Sequence, residues 1–81
     1  FLIVGILIIL IILIMAKIQL NGRKLELKKK CTILALLKKH KIDGKKIAVE
    51  LNGKIVNRNK YKIVYLKNKD KMELVHFIGG G

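Results

Sequence analysis

Two Asn-Gly dipeptides, Asn21-Gly22 and Asn52-Gly53, each sit between short runs in which apolar and polar residues alternate. Ile18-Gln19-Leu20 leads into the first and Leu25-Glu26-Leu27 leaves it. Ile47, Val49 and Leu51 lead into the second, and Ile55-Val56 continues beyond it. A two-residue hairpin turn needs positive φ at both positions, and asparagine and glycine tolerate this best. The spacing predicts two β-hairpins.

Between them, Lys28-Lys29-Lys30 reads as a solvated link. Thr32 is placed to cap a helix with Ile33, Leu34, Leu36 and Leu37 on one stripe and Ile42 near its end. Lys38, Lys39 and Lys41 crowd the last turn, where the helix dipole favours positive charge. Asp43-Gly44 is expected to stop the helix. After the second hairpin, Asn57-Arg58-Asn59-Lys60 is polar and irregular, with room for one helical turn before Tyr61. Ile63 to Leu66 forms an apolar patch, and Asn68-Lys69-Asp70-Lys71 a turn. The last strand is expected over Lys71 to Ile78, with Met72, Leu74, His76 and Ile78 on one face. The order is that of an α+β fold in which one helix packs across one face of a mixed sheet. A core this small leaves little room for a deep catalytic pocket. A carrier, adaptor or binding module fits better than an enzyme.

Charge divides the 81-residue chain in two. Residues 1–16 carry none, whereas all 18 basic and 5 acidic residues lie at or beyond Lys17, for a net charge of +13. Lysine supplies 16 of the basic residues and is scattered through every segment, a pattern that codon use in an AT-rich genome also produces. Four aromatic residues give nucleic-acid bases little to stack on, so nucleic acid is not expected as a partner. Cys31 is the sole cysteine, which excludes an internal disulfide and a cysteine-cluster metal site. His40 and His76 have no ligand spacing, so no metal is expected.

The apolar start, residues 1–16, is too short at ~1.5 Å per residue to cross ~30 Å of hydrocarbon. It has no basic flank ahead of it and no cleavage site of a signal peptide. Met15-Ala16-Lys17-Ile18 reads as a clean opening for the domain, so the apolar residues are expected to arise from upstream translation. The alternative is part of a membrane helix, in which case the lysine-rich sequence after it puts the domain on the cytoplasmic side. Residues 17–78 are the expected domain and 79–81 a flexible tail.

That tail is Gly79-Gly80-Gly81, directly after the last strand. It makes the C-terminal carboxylate a candidate reactive group. Without Cβ atoms, such a tail can pass through a narrow slot in another protein. A loose terminus is the plain alternative.

Three stretches carry a family resemblance. They are Ile18-Gln19-Leu20-Asn21-Gly22, the run Ile47 to Val56 with Arg58 after it, and Asp70 through Gly81. In these the chain resembles the ThiS family, the sulfur carriers of thiamine (thiazole) biosynthesis, which have the ubiquitin-like β-grasp fold. The likeness covers everything from Lys17 onward. Two positions depart from the family pattern: Asn57 stands where a proline usually precedes the arginine, and Lys69 where the turn before the last strand usually has glycine. Both fall in loops and bear on turn geometry rather than on the tail.

The resemblance implies that Gly81 is the attachment point. A ThiF-like adenylyltransferase would use ATP to adenylate its carboxylate. A sulfur donor such as a cysteine desulfurase would convert it to a thiocarboxylate, and a ThiG-like thiazole synthase would receive the sulfur. Gly79 and Gly80 would serve as leash. The chain itself would bind no cofactor, hold no catalytic residue and work in the cytoplasm. A MoaD-like carrier for molybdopterin is the nearest alternative, followed by a small basic membrane-tethered module and a ubiquitin-like modifier of lysines. Compact length and the Val75-His76-Phe77-Ile78 lead favour the thiazole carrier.

Four further residues are weighed. Phe77 either joins the core or faces outward as an anchor for a partner. His76 is expected to be half-buried, or to touch a partner. Cys31 is expected to be partly buried at the helix start rather than a second sulfur relay, and Arg58 a solvated loop charge.

Overall fold

In the computed structural model, which describes residues 2–77, both Asn-Gly pairs close hairpins. Asn21 and Gly22 have φ of 49° and 80°, and Asn52 and Gly53 have 53° and 84°. The first turn joins β1 (Ala16–Leu20) to β2 (Arg23–Leu27), and the second joins β3 (Ile47–Leu51) to β4 (Lys54–Val56). The last strand, β5 (Lys71–His76), enters between the two hairpins and completes a sheet ordered β2-β1-β5-β3-β4. β5 runs parallel to β1 and antiparallel to β3. A mixed five-stranded sheet with a single helix between its hairpins is the β-grasp arrangement.

That helix is α2 (Ile33–Lys39); a separate apolar helix, α1 (Leu2–Ile14), precedes β1. α2 buries Ile33, Leu36 and Leu37. They join Ile18, Leu27, Ile47, Val49, Met72 and Leu74 from the sheet in one core, with Tyr61 and Leu66 closing its margin. The alternation along each strand supplies this face, since Ile18, Val49, Met72 and Leu74 all lie at every-second positions. The core takes in Ala16 as well, so the sheet begins one residue before Lys17. Ile78, expected on the last strand, lies outside the described residues together with Phe1 and Gly79 to Gly81.

A seven-residue helix cannot meet its own N-terminal donors. The connection after β4 does so. Ile33 N–H donates to the Val64 carbonyl (3.0 Å) and Leu34 N–H to that of Tyr61 (2.9 Å). Ala35 N–H donates to Thr32 Oγ1 (3.1 Å), the cap expected from the sequence. The apolar patch at 63–66 is therefore no strand: Leu66 is buried, but Ile63 and Tyr65 are exposed and the backbone serves the helix.

The helix stops earlier than expected. Lys41, not Gly44, takes the left-handed conformation (φ 57°), and Ile42 N–H returns to the Leu37 carbonyl at 2.8 Å. This is the wrapped C-terminal end normally built on glycine. Gly44 instead opens a 3₁₀ turn, Gly44–Lys46, capped by Asp43. A Cβ at Gly44 would lie 3.5 Å from the Tyr61 ring, an ordinary van der Waals contact, so the turn packs on the core without requiring glycine there.

The two departures from the family pattern have opposite consequences. Asn57 has φ −64° and ψ 142°, a conformation proline also adopts, so its turn is unchanged in kind. Lys69 has φ 72° and bears a strain that glycine would not. Its turn is held by Lys69 N–H to the Lys17 carbonyl (2.8 Å) and by Asp70 Oδ2, which accepts from Lys67 N–H (2.7 Å). Lys69→Gly is expected to stabilise the domain by about 0.5–1 kcal/mol, read as a rise of a few degrees in thermal midpoint. Lys69→Ala, which keeps the Cβ, is expected to give no such rise.

Candidate functional site

β5 is held unequally along its length. On the β3 side the ladder runs from Leu51↔Met72 to Ile47↔His76, and Phe77 N–H extends it to the Lys46 carbonyl at 3.1 Å. On the β1 side only Gln19↔Lys71 and Leu20↔Met72 pair, because β1 ends at Leu20. The next partner is a side chain. Asn21 donates its own N–H to the Met72 carbonyl (2.9 Å), and its amide then takes the place of a strand. Oδ1 accepts from Leu74 N–H at 2.6 Å and Nδ2 donates to the Leu74 carbonyl at 3.3 Å. Beyond Leu74 no residue lies paired on that side among those described.

This open side decides where the predicted residues go. His76 lies on the same strand face as Met72 and Leu74, opposite buried Ile47, yet it is exposed rather than half-buried. The reason is the early end of β1, which leaves nothing alongside to cover it. Phe77 is 53% exposed and Val75 54%, so Phe77 does not join the core. His76 and Phe77 thus stand together at the end of the strand that leads toward Gly79, Gly80 and Gly81.

The second asparagine grips the other end of the same strand. Asn52 Oδ1 accepts from Lys71 N–H (2.8 Å) and Nδ2 donates to Asp70 Oδ1 (2.9 Å), while Asn52 N–H donates to the Lys71 carbonyl (2.8 Å). The sequence reading found both asparagines as turn formers and missed them as clamps.

Arg58 is more than a solvated charge. Its Nη2 donates to the Lys45 carbonyl (3.4 Å), and the next carbonyl, that of Lys46, holds Phe77. The 44–46 turn is therefore tied on one side to the loop after β4 and on the other to the root of the tail. A cleft of about 410 Å³ between Leu34, Gly44, Arg58 and Tyr61 also draws on Asp43 and Lys45. It holds neither a thiol nor paired carboxylates. Among the described residues, no three of His, Cys, Asp and Glu gather to hold a metal ion.

Cys31 is half-buried before α2, and its Sγ–H donates to the Thr32 carbonyl at 3.3 Å. Burial pushes its thiol up from 9.0, with Lys39 and Lys29 opposing. A thiol that stays protonated is a poor nucleophile. Alkylation of the folded chain is expected to be slower than that of free cysteine at neutral pH, with its pH midpoint above 9.0. Because the folded state keeps this proton longer than the unfolded state, Cys31 also makes stability fall as pH rises past the unfolded value.

Asn21→Gly keeps the left-handed turn and removes only the clamp. It is expected to cost about 1–2 kcal/mol, measured by denaturant unfolding, and to speed hydrogen exchange at the Leu74 amide. Asn21→Asp, which keeps the acceptor for that amide, is expected to lose less.

Comparison with known proteins accounts for this arrangement. The family model described as "ThiS family" matches residues 12–81. The sulfur carrier protein ThiS of Bacillus subtilis is 40% identical over 65 residues, 79% of this chain and 98% of that one. A thiazole synthase of Paramagnetospirillum magneticum is also 40% identical over 65 residues, but these make up 80% of this chain and 20% of the synthase. The crystal structure of the thiamine biosynthesis protein ThiS from Geobacter metallireducens superposes with a TM-score of 0.70 at 26% identity, covering 80% of this chain and 99% of that one. A strand clamped by two asparagines, open on one side at its end and followed by three glycines, therefore sits in a chain that belongs to the ThiS family.

Proposed function

We propose that this chain is a sulfur carrier of thiamine biosynthesis, with the Gly81 carboxylate as the group that is charged and discharged. The observation that carries the reading is β5. It is fixed in the core at Met72 and Leu74 and leaves the domain at exposed His76 and Phe77, with the glycine tail directly beyond. Membership of the ThiS family supports it.

The chemistry follows from the terminal group. A carboxylate is a poor electrophile. Attack of a Gly81 oxygen on the α-phosphorus of ATP expels pyrophosphate and leaves an acyl-adenylate, whose AMP is a good leaving group. The terminal sulfur of a donor persulfide attacks the acyl carbon and displaces AMP, giving an acyl disulfide, and a thiol reductant then cleaves its S–S bond to leave a thiocarboxylate. Its sulfur is a soft nucleophile, still tethered, so free sulfide is not released. A ThiF-like adenylyltransferase would supply the ATP site, and a cysteine desulfurase the sulfur. The receiving enzyme would be a thiazole synthase, and the carrier-like stretch within the Paramagnetospirillum magneticum synthase supports that pairing.

The chain's own part is presentation. Glycines offer no side chains, so a partner grips such a tail through its main chain. Phe77 and Val75, both about half exposed, give the partner apolar surface beside the strand end. A partner without such a slot would be excluded by shape, which protects the activated acyl group from stray nucleophiles.

Intact-mass spectrometry after incubation with ATP, a ThiS-activating adenylyltransferase and a sulfur source is expected to show the exchange of one oxygen for one sulfur at the C-terminus. Truncation after Phe77 is expected to abolish it while leaving the thermal midpoint unchanged. Failure of the full chain to gain sulfur, where a control carrier does, would overturn the reading.

A further inference from the structure

α1 has no counterpart in the sulfur-carrier chemistry, and its surface is unlike that of any other element. The segment Leu2–Ile14 contains no polar side chain. From Leu2 to Ile11 every residue except Gly5 is at least half exposed. A helix that is apolar along one stripe can rest on a protein groove. One that is apolar all round leaves a bare face in any groove and requires a surrounding apolar phase.

Its length limits what that phase can be. Thirteen residues give ~20 Å of helix against ~30 Å of bilayer hydrocarbon. Among the described residues no helix is long and apolar enough to cross a membrane.

The fold then assembles what lies at the helix root. Ala16↔Leu27 pairing sets Lys28, Lys29 and Lys30 beside the junction of α1 and β1. Lys69 N–H donates to the Lys17 carbonyl (2.8 Å) and Lys17 N–H to Asn68 Oδ1 (2.9 Å), which brings the 67–69 turn to the same place. Lys17, Lys28, Lys29, Lys30, Lys67 and Lys69 are all exposed there. Two acidic residues are near: Glu26 stands opposite Lys17, and Asp70 is engaged by Lys67 N–H and Asn52. The excess is strongly positive. In the sequence these lysines fall in three separate places, and only the fold makes them one collar.

We propose that this chain docks on an anionic lipid surface, with α1 in the hydrocarbon and the six-lysine collar against the headgroups. An apolar insertion and a basic patch supply the two signals that stable attachment takes. Docking leaves the end of β5 clear of the lipid surface. β5 runs parallel to β1, away from the collar, and by its register His76 lies eight residue steps along the sheet from Ala16, roughly 25 Å at ~3.3 Å per step.

The test is co-sedimentation of the full chain with vesicles of phosphatidylcholine alone or with phosphatidylserine added. Binding is expected to favour the anionic vesicles and to weaken as salt rises. Replacing Lys28, Lys29 and Lys30 with glutamine is expected to lower that binding about tenfold or more. Ile8→Asp is expected to abolish it. A thermal midpoint equal to that of the parent chain confirms that each variant folds. Equal binding to both vesicle types, no binding, or concentration-dependent self-association through α1 that vesicles do not disperse would each overturn the proposal.

Discussion

The structure depends on how β5 is gripped. It is the central strand and contributes Met72 and Leu74 to the core, yet β1 meets it over only two residue pairs while β3 meets it over five. Two asparagine amides make up the difference, Asn52 at its entry and Asn21 at Leu74. Each belongs to a hairpin turn that needs a residue tolerant of positive φ. Each then spends its amide on the strand that slots between the hairpins. An asparagine at this place satisfies one donor and one acceptor of a part-buried backbone, and an aliphatic residue would leave both unpaired. The two hairpins are thus joined through polar groups as well as through the core. The last hold on the β1 side falls at Leu74, which leaves Val75, His76 and Phe77 held from the β3 side alone.

What could be read from the sequence was local chemistry. The Asn-Gly turns, the Thr32 cap and the alternation of Met72 and Leu74 each follow from a few adjacent residues, and these were legible. The clamps were not, because Asn21 and Leu74 lie 53 positions apart, and nothing near either names the other. The helix stop at Lys41 was missed for a different reason: lysine carries no signal for a left-handed conformation, and Asp43-Gly44 just beyond offered a stronger one. His76 followed its strand pattern but not its expected burial. Alternation gives the face of a residue, whereas burial depends on the length of the neighbouring strand. The tail chemistry came from resemblance alone, since three glycines state only that side chains are missing.

A domain of this size cannot spare residues for a reaction centre. Its core is a single cluster, and every polar side chain with long-range bonds is occupied in holding a strand or a turn. On the proposed function, placing the reactive group at the end of the chain resolves the conflict. The fold then needs only to fix one strand firmly and expose its exit. Arg58 fits this division of labour, because its bond to the Lys45 carbonyl braces the turn that Phe77 hangs on and leaves the chemistry to others.

The parallel pairing of β1 and β5 has a further effect. It sets the start of β1, at the root of α1, and the finish of β5 at opposite ends of the strands. An antiparallel pairing would have brought them together, and the lysines around Lys17 would then have stood beside the carboxylate and drawn it down. As built, the dense positive charge and the end of β5 at His76 and Phe77 are separated by more than a Debye length at physiological salt, ~8 Å. On the two proposals, the collar would meet an anionic surface while a partner enzyme takes the tail, because neither contact requires the other to be released. The same separation means that neutralising the collar leaves the electrostatics at His76 and Phe77 nearly unchanged, so lipid attachment and sulfur transfer can be altered independently in one chain.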